Sequence, residues 1–99
     1  MIPIITTTIL ISTTTSSEVD LEGAQARAIL FPAAFTGATI SFEIPDGAAG
    51  FAALSGVTIT PVVDNWVQLT EAVAYAIGSK FRIVSASSEA AERTLRILR

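Results

Sequence analysis

The stretch "ATISFEIPDG", residues 38–47, decides the fold class. Its apolar residues Ile40, Phe42 and Ile44 recur at every second position, with polar residues between them. A period of two places the apolar residues on one face of a β-strand, so this stretch is predicted to be a strand with one buried face. Pro45-Asp46-Gly47 then supplies the turn chemistry that ends the strand.

The rest of the chain repeats this organisation. Residues 70–80, "TEAVAYAIGSK", differ, since they have a helical composition and a glycine suited to a helix end, and we interpret them as a helical turn or a loop that crosses between the sheets. The sequence predicts an all-β fold, a compact antiparallel β-sandwich or a jelly-roll-like barrel of about seven to nine short strands. We expect a single domain over residues 1–99. The other strand-like runs are 8–12, 18–21, 24–31, 50–55, 57–63, 65–69, 80–84 and 94–98.

The composition argues against an enzyme. The chain contains no cysteine and no histidine, which excludes thiol nucleophiles, disulfides, most zinc sites and histidine acid–base chemistry. A nucleophilic serine would need a base, and Lys80 or the amino terminus would have to supply it. Neither stands at a recognisable catalytic spacing from a serine. We therefore predict no enzymatic activity and no cofactor.

The charge and hydropathy indicate which partners to expect. A net charge of −3 and a pI near 4.6 argue against nucleic acid. No run approaches the ~18 consecutive apolar residues of a membrane span. Apolar residues make up 51% of the chain and charged residues 15%, against roughly 25% charged residues in ordinary domains. This excess of apolar surface predicts contacts with other subunits, including a homo-oligomer.

Two groups of residues have the chemistry of a site. Glu18, Asp20 and Glu22 share one face of a strand, as in a hydrolase or a calcium site, although a solvated strand face beside a turn explains them as well. The aromatic group could bind a sugar face, but a lone tryptophan is more often core or half-buried at an interface. The members of this second group are Phe51, Trp66 and Tyr75.

The last twenty residues, "KFRIVSASSEAAERTLRILR", contain five of the six basic residues of the chain. We predict a terminal hairpin whose basic residues keep one face wet or meet an acidic patch on a neighbouring subunit. In the connection, Glu89 and Glu92 lie close to Arg93 in the sequence and can pair with it locally, although exposed pairs contribute only about 0–1 kcal/mol each. The residues assigned to the basic face are Lys80, Arg82 and Arg96.

Two segments resemble small structural proteins of tailed-bacteriophage virions. The first, "ARAILFPAAFTGATISFEI" at residues 26–44, is similar to their apolar strand, Pro-Ala-Ala-aromatic-Thr turn and Thr/Phe/Ile-rich strand. The second, "FRIVSASSEAAERTLRIL" at residues 81–98, resembles their closing pair of strands, and the order and separation of the segments also match. The part of the chain between these two segments differs from the phage proteins. Where those proteins have a strand rich in aromatic residues, this chain has "AAGFAALSG" at residues 48–56.

The resemblance implies a virion structural protein with a β-sandwich fold and no catalytic residues. The leading interpretation is a capsid decoration (cement) protein on the capsid surface, whose partner is the major capsid protein. The alternatives are a tail, neck or baseplate component of the virion, and a carbohydrate-binding module for host attachment. Residues 1–11 are predicted to be an N-terminal strand or arm that contacts neighbouring subunits. The predicted interface residues are Ile2, Ile4, Ile5, Ile9, Ile11, Trp66, Arg82 and Arg96.

Overall fold

The period-two segments form strands that pack face to face. A computed structural model describes residues 3–99, within which there are eight strands and one short helix. Ile40 and Phe42 point inward from β4 and are buried, while Ser41 and Glu43, which alternate with them, remain half-exposed. The elements are β1 (Ile4–Ile9), β2 (Val19–Asp20), β3 (Ala28–Leu30), β4 (Ile40–Pro45), β5 (Phe51–Ala53), β6 (Trp66–Gln68), α1 (Glu71–Ile77), β7 (Lys80–Ser85) and β8 (Arg93–Leu98).

The strands form two antiparallel sheets of four strands each. Sheet I has the order β1-β8-β3-β6, and sheet II has the order β2-β7-β4-β5. The inner faces of both sheets supply the core, so the predicted all-β, sandwich-like architecture is confirmed. Between the sheets, Phe42 and Phe81 meet edge to face with ring centroids 5.9 Å apart. The other buried apolar strand residues are Ile9, Val19, Ala28, Ile29, Ile40, Ile83, Leu95 and Ile97.

Most connections carry the chain from one sheet to the other. Within residues 3–99, only the connection between β4 and β5 joins two paired strands as a hairpin. Its turn confirms the reading of Pro45-Asp46-Gly47, because Asp46 Oδ1 accepts a hydrogen bond of 2.8 Å from the Ala48 amide and Gly47 has a φ of 86°. A residue with a Cβ rarely adopts that φ, which is why glycine suits this position.

The predicted terminal hairpin is wrong. β7 pairs with β2 and β4 in sheet II, whereas β8 pairs with β1 and β3 in sheet I. The connection over residues 86–92 therefore crosses between the layers. A strand shows the same alternation of polar and apolar residues whether the next strand pairs with it in the same sheet or lies in the facing sheet. The alternation therefore does not indicate which of the two arrangements occurs. As a result, Lys80 and Arg82 lie on the outer face of sheet II, and Arg96 lies on the opposite side of the molecule.

The segment over residues 70–80 contains the predicted helical turn. The Thr70 side chain accepts a hydrogen bond from the Val73 amide at the start of α1, and Gly78, with a φ of 66°, ends it. The helix buries Ala74 and Ile77 and carries the chain from sheet I to sheet II.

Residues 57–63, which were predicted to be a strand, contact sheet II through an isolated bridge instead of a regular strand. Ile59 and Ile40 exchange two backbone hydrogen bonds of 2.9 Å as an isolated bridge. Pro61 follows two residues later and has no backbone N–H to donate, so a regular ladder cannot continue through it.

Residues 4–9 are a paired strand rather than a free arm. β1 is the outermost strand of sheet I and runs beside β8 from the Ile4–Leu98 pair to the Ile9–Arg93 pair. Ile9 is fully buried in the core of its own chain and has no surface for a neighbour, which corrects its assignment to an interface. Ile5 also points inward and packs partly against the core. The predicted interface residue Ile2 lies outside the described residues.

Candidate functional site

The outward-pointing side chains of sheet I bring together three of the predicted interface residues, Ile4, Trp66 and Arg96. We call this surface the sheet I face. It is built on strands whose other side forms the core, so its side chains stand on a rigid support. The strand registers place its residues in two rows across the sheet: Ile4, Leu98, Ala28 and Gln68 in one, and Thr6, Arg96, Leu30 and Trp66 in the other.

The sheet I face combines exposed apolar side chains with a cation. Trp66 is 42% exposed and Ile4 38% exposed, while Leu30 and Leu98 are half-buried between them. None of the residues in the two rows is acidic, and Arg96 makes no ion pair with any residue of the described range 3–99. Exposed Trp and Arg side chains set among aliphatic ones are typical of protein-binding surfaces.

A shallow pocket of about 400 Å³ opens at one end of the sheet I face. Arg27 lines the pocket, and its Nη2 donates a hydrogen bond of 2.7 Å to the Arg99 carbonyl oxygen. The pocket offers an indole wall, an amide and a guanidinium, so it suits a group with an apolar body and an oxygen acceptor. The lining residues are Arg27, Ala28, Trp66, Gln68 and Leu98.

The charges on the outer face of sheet II are paired within the chain. Arg82 Nη1 lies 3.8 Å from Glu43 Oε1, and its guanidinium carbon lies 4.1 Å from the centroid of the Phe51 ring. Lys80 Nζ lies 3.8 Å from Glu18 Oε1 and 4.0 Å from Asp20 Oδ2. These side chains are about one-quarter to one-half exposed, so each contact contributes little to stability. The predicted interface residue Arg82 is therefore occupied by contacts of its own chain.

The predicted aromatic group is not assembled in one place. Phe51 lies against Arg82 in sheet II, whereas Trp66 lies on the sheet I face. Tyr75 is 66% exposed on α1 and does not line the pocket beside Trp66. Any sugar contact at the pocket would rest on Trp66 as its one aromatic ring.

The acidic residues near β2 do not form a metal site. Glu18 and Asp20 both face Lys80, and Glu22 Oε1 lies 3.9 Å from Arg99 Nη1. Within residues 3–99, no group of three or more Asp, Glu, His or Cys side chains is placed to hold a metal ion. The geometry thus matches the solvated strand face beside a turn.

Glu89 is the residue whose role the sequence did not reveal, because its side chain is fully buried instead of exposed. Its carboxylate accepts hydrogen bonds from the Thr36 amide at 3.0 Å, the Thr36 hydroxyl at 2.9 Å and Arg93 Nε at 3.0 Å. Burial alone raises the pKa of Glu89, but the bonds from Arg93 and Thr36 and the charge of Arg93 outweigh it, so the pKa lies below its ordinary value of 4.5.

Glu89 joins three crossing connections at one end of the sandwich. Thr36 lies between β3 and β4, and Arg93 begins β8. In addition, the Glu89 carbonyl accepts a hydrogen bond of 3.0 Å from the Ser12 amide, which lies between β1 and β2. The spacing of four between Glu89 and Arg93 indicates their pairing, but nothing in the sequence indicates the burial. Glu89 is therefore a structural residue.

Several exposed apolar residues lie outside the sheet I face. Leu10 and the predicted interface residue Ile11 are 56% and 60% exposed in the turn after β1. Val62 and Val63 are exposed in the loop that leads into β6, close in sequence to Trp66. These apolar side chains are exposed, unlike those on the inner faces of the strands. The periodicity of the sequence alone does not predict which apolar residues are exposed.

In comparisons with protein-family models, curated proteins and solved structures, no significant match to this chain was found. In the described part of the chain, no helix is both long enough and apolar enough to cross a membrane.

Proposed function

We propose that this chain is a non-catalytic structural subunit of a tailed-bacteriophage particle, a capsid decoration protein that stabilises the head shell. The observation that carries the proposal is the sheet I face, where exposed Trp66 and Ile4 share one surface with an Arg96 that has no carboxylate partner among residues 3–99. Such a face suits a protein partner that covers the apolar side chains and supplies an acidic group to Arg96. In a decorated shell that partner is the major capsid protein.

The resemblance to phage proteins supports the same proposal, because the similar segments form the central strands of the fold. The segments over residues 26–44 and 81–98 supply β3, β4, β7 and β8, which are the two central strands of each sheet. They therefore include the residues that define the sandwich. A small subunit that binds at many equivalent places on a shell also needs little affinity at each contact, because each copy bridges several capsid subunits.

The first test is the copy number of the chain per purified particle, measured by quantitative mass spectrometry against the major capsid protein. A number comparable to that of the capsid protein is expected of a decoration protein. A number of about a dozen or fewer, as in the rings of a neck or tail, would replace the decoration proposal with a tail or neck component. Absence from the particle would overturn both.

The second test asks whether the sheet I face makes the contact. Trp66→Ala and Arg96→Ala are expected to lower the occupancy of the chain on particles at least tenfold, because truncation of a Trp or Arg anchor commonly costs about 2 kcal/mol or more. Arg82→Ala is the matched control, since Arg82 lies on the opposite face. Loss of occupancy in the control alone would assign the contact to sheet II.

A carbohydrate-binding function is the second candidate, and the pocket beside Trp66 favours it. Its indole wall, with Arg27 and Gln68 at the same opening, has the chemistry of a site for an acidic sugar. Trp66 is the sole tryptophan of the chain, so its fluorescence reports on this pocket. A polysaccharide-dependent change in emission that Gln68→Ala weakens would support the function. Emission that is unchanged across a series of host-surface polysaccharides would count against it.

A further inference from the structure

The edge of β1 differs from the other three sheet edges. The other edge strands, β2, β5 and β6, contain two or three residues each, and short edges resist pairing with another chain. β2 is also protected by the charges of Glu18 and Asp20. By contrast, β1 is a six-residue edge strand, "IITTTI", with no charged residue and no proline. All its residues are β-branched, which favours strand pairing.

The backbone groups of β1 alternate in direction. The Pro3 carbonyl accepts a hydrogen bond of 2.9 Å from the Arg99 amide, so odd-numbered residues direct their N–H and C=O groups toward β8. Even-numbered residues direct theirs away from the sheet. The Thr8 carbonyl is covered there by the Ser17 amide at 3.0 Å. Among residues 3–99, no partner is found for the outward-directed backbone groups of Ile4 and Thr6, which therefore form the open part of the edge.

We propose that β1 pairs antiparallel with β1 of a second copy of this chain, with Ile4 opposite Thr6 of the partner and Thr6 opposite Ile4. A two-fold axis beside Ile5 relates the copies, so the same two residues supply the donors and acceptors on both sides. The pairing satisfies the N–H and C=O groups of both residues in each copy. It also covers the remaining exposed surface of Ile5, which packs partly against the core.

The self-complementary pattern favours a second copy over another kind of partner. An uncharged strand brings no like charges together when it meets itself, and Ile–Thr pairs fit an antiparallel ladder. The sheets of the two copies become one eight-stranded sheet, because each copy contributes the four strands of sheet I. The pairing uses the edge of sheet I and leaves the sheet I face free to bind another protein. The dimer and the proposed function are therefore compatible, and neither depends on the other.

Thr6→Pro tests the proposal, because the Thr6 N–H points away from β8 and its loss leaves the pairing within the chain intact. Proline is tolerated on an edge where its missing N–H would face outward. The variant removes two of the four hydrogen bonds between copies, so the dissociation constant from analytical ultracentrifugation is expected to rise on the order of 30-fold. Thr6→Val keeps the N–H and is the matched control.

Amide hydrogen exchange by NMR gives a second readout on the unmodified chain. The Ile4 and Thr6 amides are expected to gain protection as protein concentration rises, whereas Ile5 and Thr7 amides are protected at every concentration by β8. Free exchange at Ile4 and Thr6 at millimolar concentration would overturn the proposal, as would Thr6→Pro self-associating like wild type. If Thr6→Pro does not fold, the exchange experiment decides. Particle binding by a strictly monomeric chain would leave the proposed function standing while this inference fails.

Discussion

Glu89→Ala removes the carboxylate that bonds Thr36, between β3 and β4, and Arg93, at the start of β8, while the backbone bond from the Ser12 amide to the carbonyl of residue 89 remains. The Glu89 side chain is fully buried, and the Arg93 side chain that it bonds is only 14% exposed. After the change, the Arg93 guanidinium and the Thr36 amide and hydroxyl lose their partner at a place where water has little access. Because burial without a partner is costly for a charge and for a backbone N–H, we expect a large loss of stability.

The magnitude follows from the bonds that are lost. Hydrogen bonds to a charged group contribute about 1.5–3 kcal/mol each, and breaking a buried ion pair from one side costs about 3–5 kcal/mol. The carboxylate's own desolvation cost disappears with it, so the three bonds do not add in full. We therefore expect Glu89→Ala to lower the free energy of unfolding by about 3–5 kcal/mol, out of the roughly 5–15 kcal/mol typical of a domain.

The assay is urea unfolding at pH 7, followed by circular dichroism and Trp66 fluorescence. With a urea m-value of about 1–3 kcal/mol per molar, the midpoint is expected to fall by on the order of 2 M. Glu92→Ala is the matched control, because Glu92 is an exposed glutamate in the same connection, and its change should stay within about 0.5 kcal/mol. A loss below about 1 kcal/mol for Glu89→Ala would refute the reasoning, since the buried bonds would then only balance the desolvation cost.

Three further predictions concern pH, packing and capping. Because the folded pKa of Glu89 is lowered, its contribution to stability is complete above the ordinary pKa of 4.5 and is lost as pH falls through the folded pKa, so the urea midpoint of wild type should decline more steeply in acid than that of Glu89→Ala. Gly37→Ala places a Cβ against Ser85 Oγ and 3.0 Å from the Phe35 ring, at a cost of about 1–3 kcal/mol. Ser85→Ala removes the overlapping oxygen, so a double-mutant cycle should show a smaller cost in that background, and additive costs would contradict the overlap. Thr70→Ala removes the cap of α1 and should cost about 1 kcal/mol in thermal or urea unfolding, whereas Thr70→Ser should cost little.

The sequence predicts the faces of the strands better than their partners. Alternation correctly separates buried Phe42 and Phe81 from their polar neighbours, because one face of every strand meets the same core. It does not say which strand lies beside which, and for that reason β7 and β8 were predicted as a hairpin although they lie in different sheets. The turn at Asp46 and the helix cap at Thr70 are predictable, since their chemistry is local.

The candidate site depends on the order of the strands in sheet I, and local sequence patterns contain no information about that order. Ile4, Trp66 and Arg96 stand far apart in the sequence, and they share a face because β8 and β3 lie between β1 and β6. Glu89 illustrates the same limit, since its hydrogen bonds depend on the connection between β3 and β4, which places Thr36 against the carboxylate. Long-range pairing determines both features, and no local window of sequence contains it.

The sheet I face, which is the proposed binding surface, takes half of its eight residues from the segments that carry the resemblance, namely Ala28, Leu30, Arg96 and Leu98, and half from outside them, which affects how strongly one supports the other. Segments 26–44 and 81–98 supply the central strands, whose apolar residues serve the core. Ile4 and Trp66 lie on β1 and β6, outside those segments. A chain could therefore keep the fold and bind a different partner, because function depends on the site that a fold carries. Variants at Trp66 and Arg96 are consequently more informative about function than any change in the core, which would alter the fold and the binding surface together.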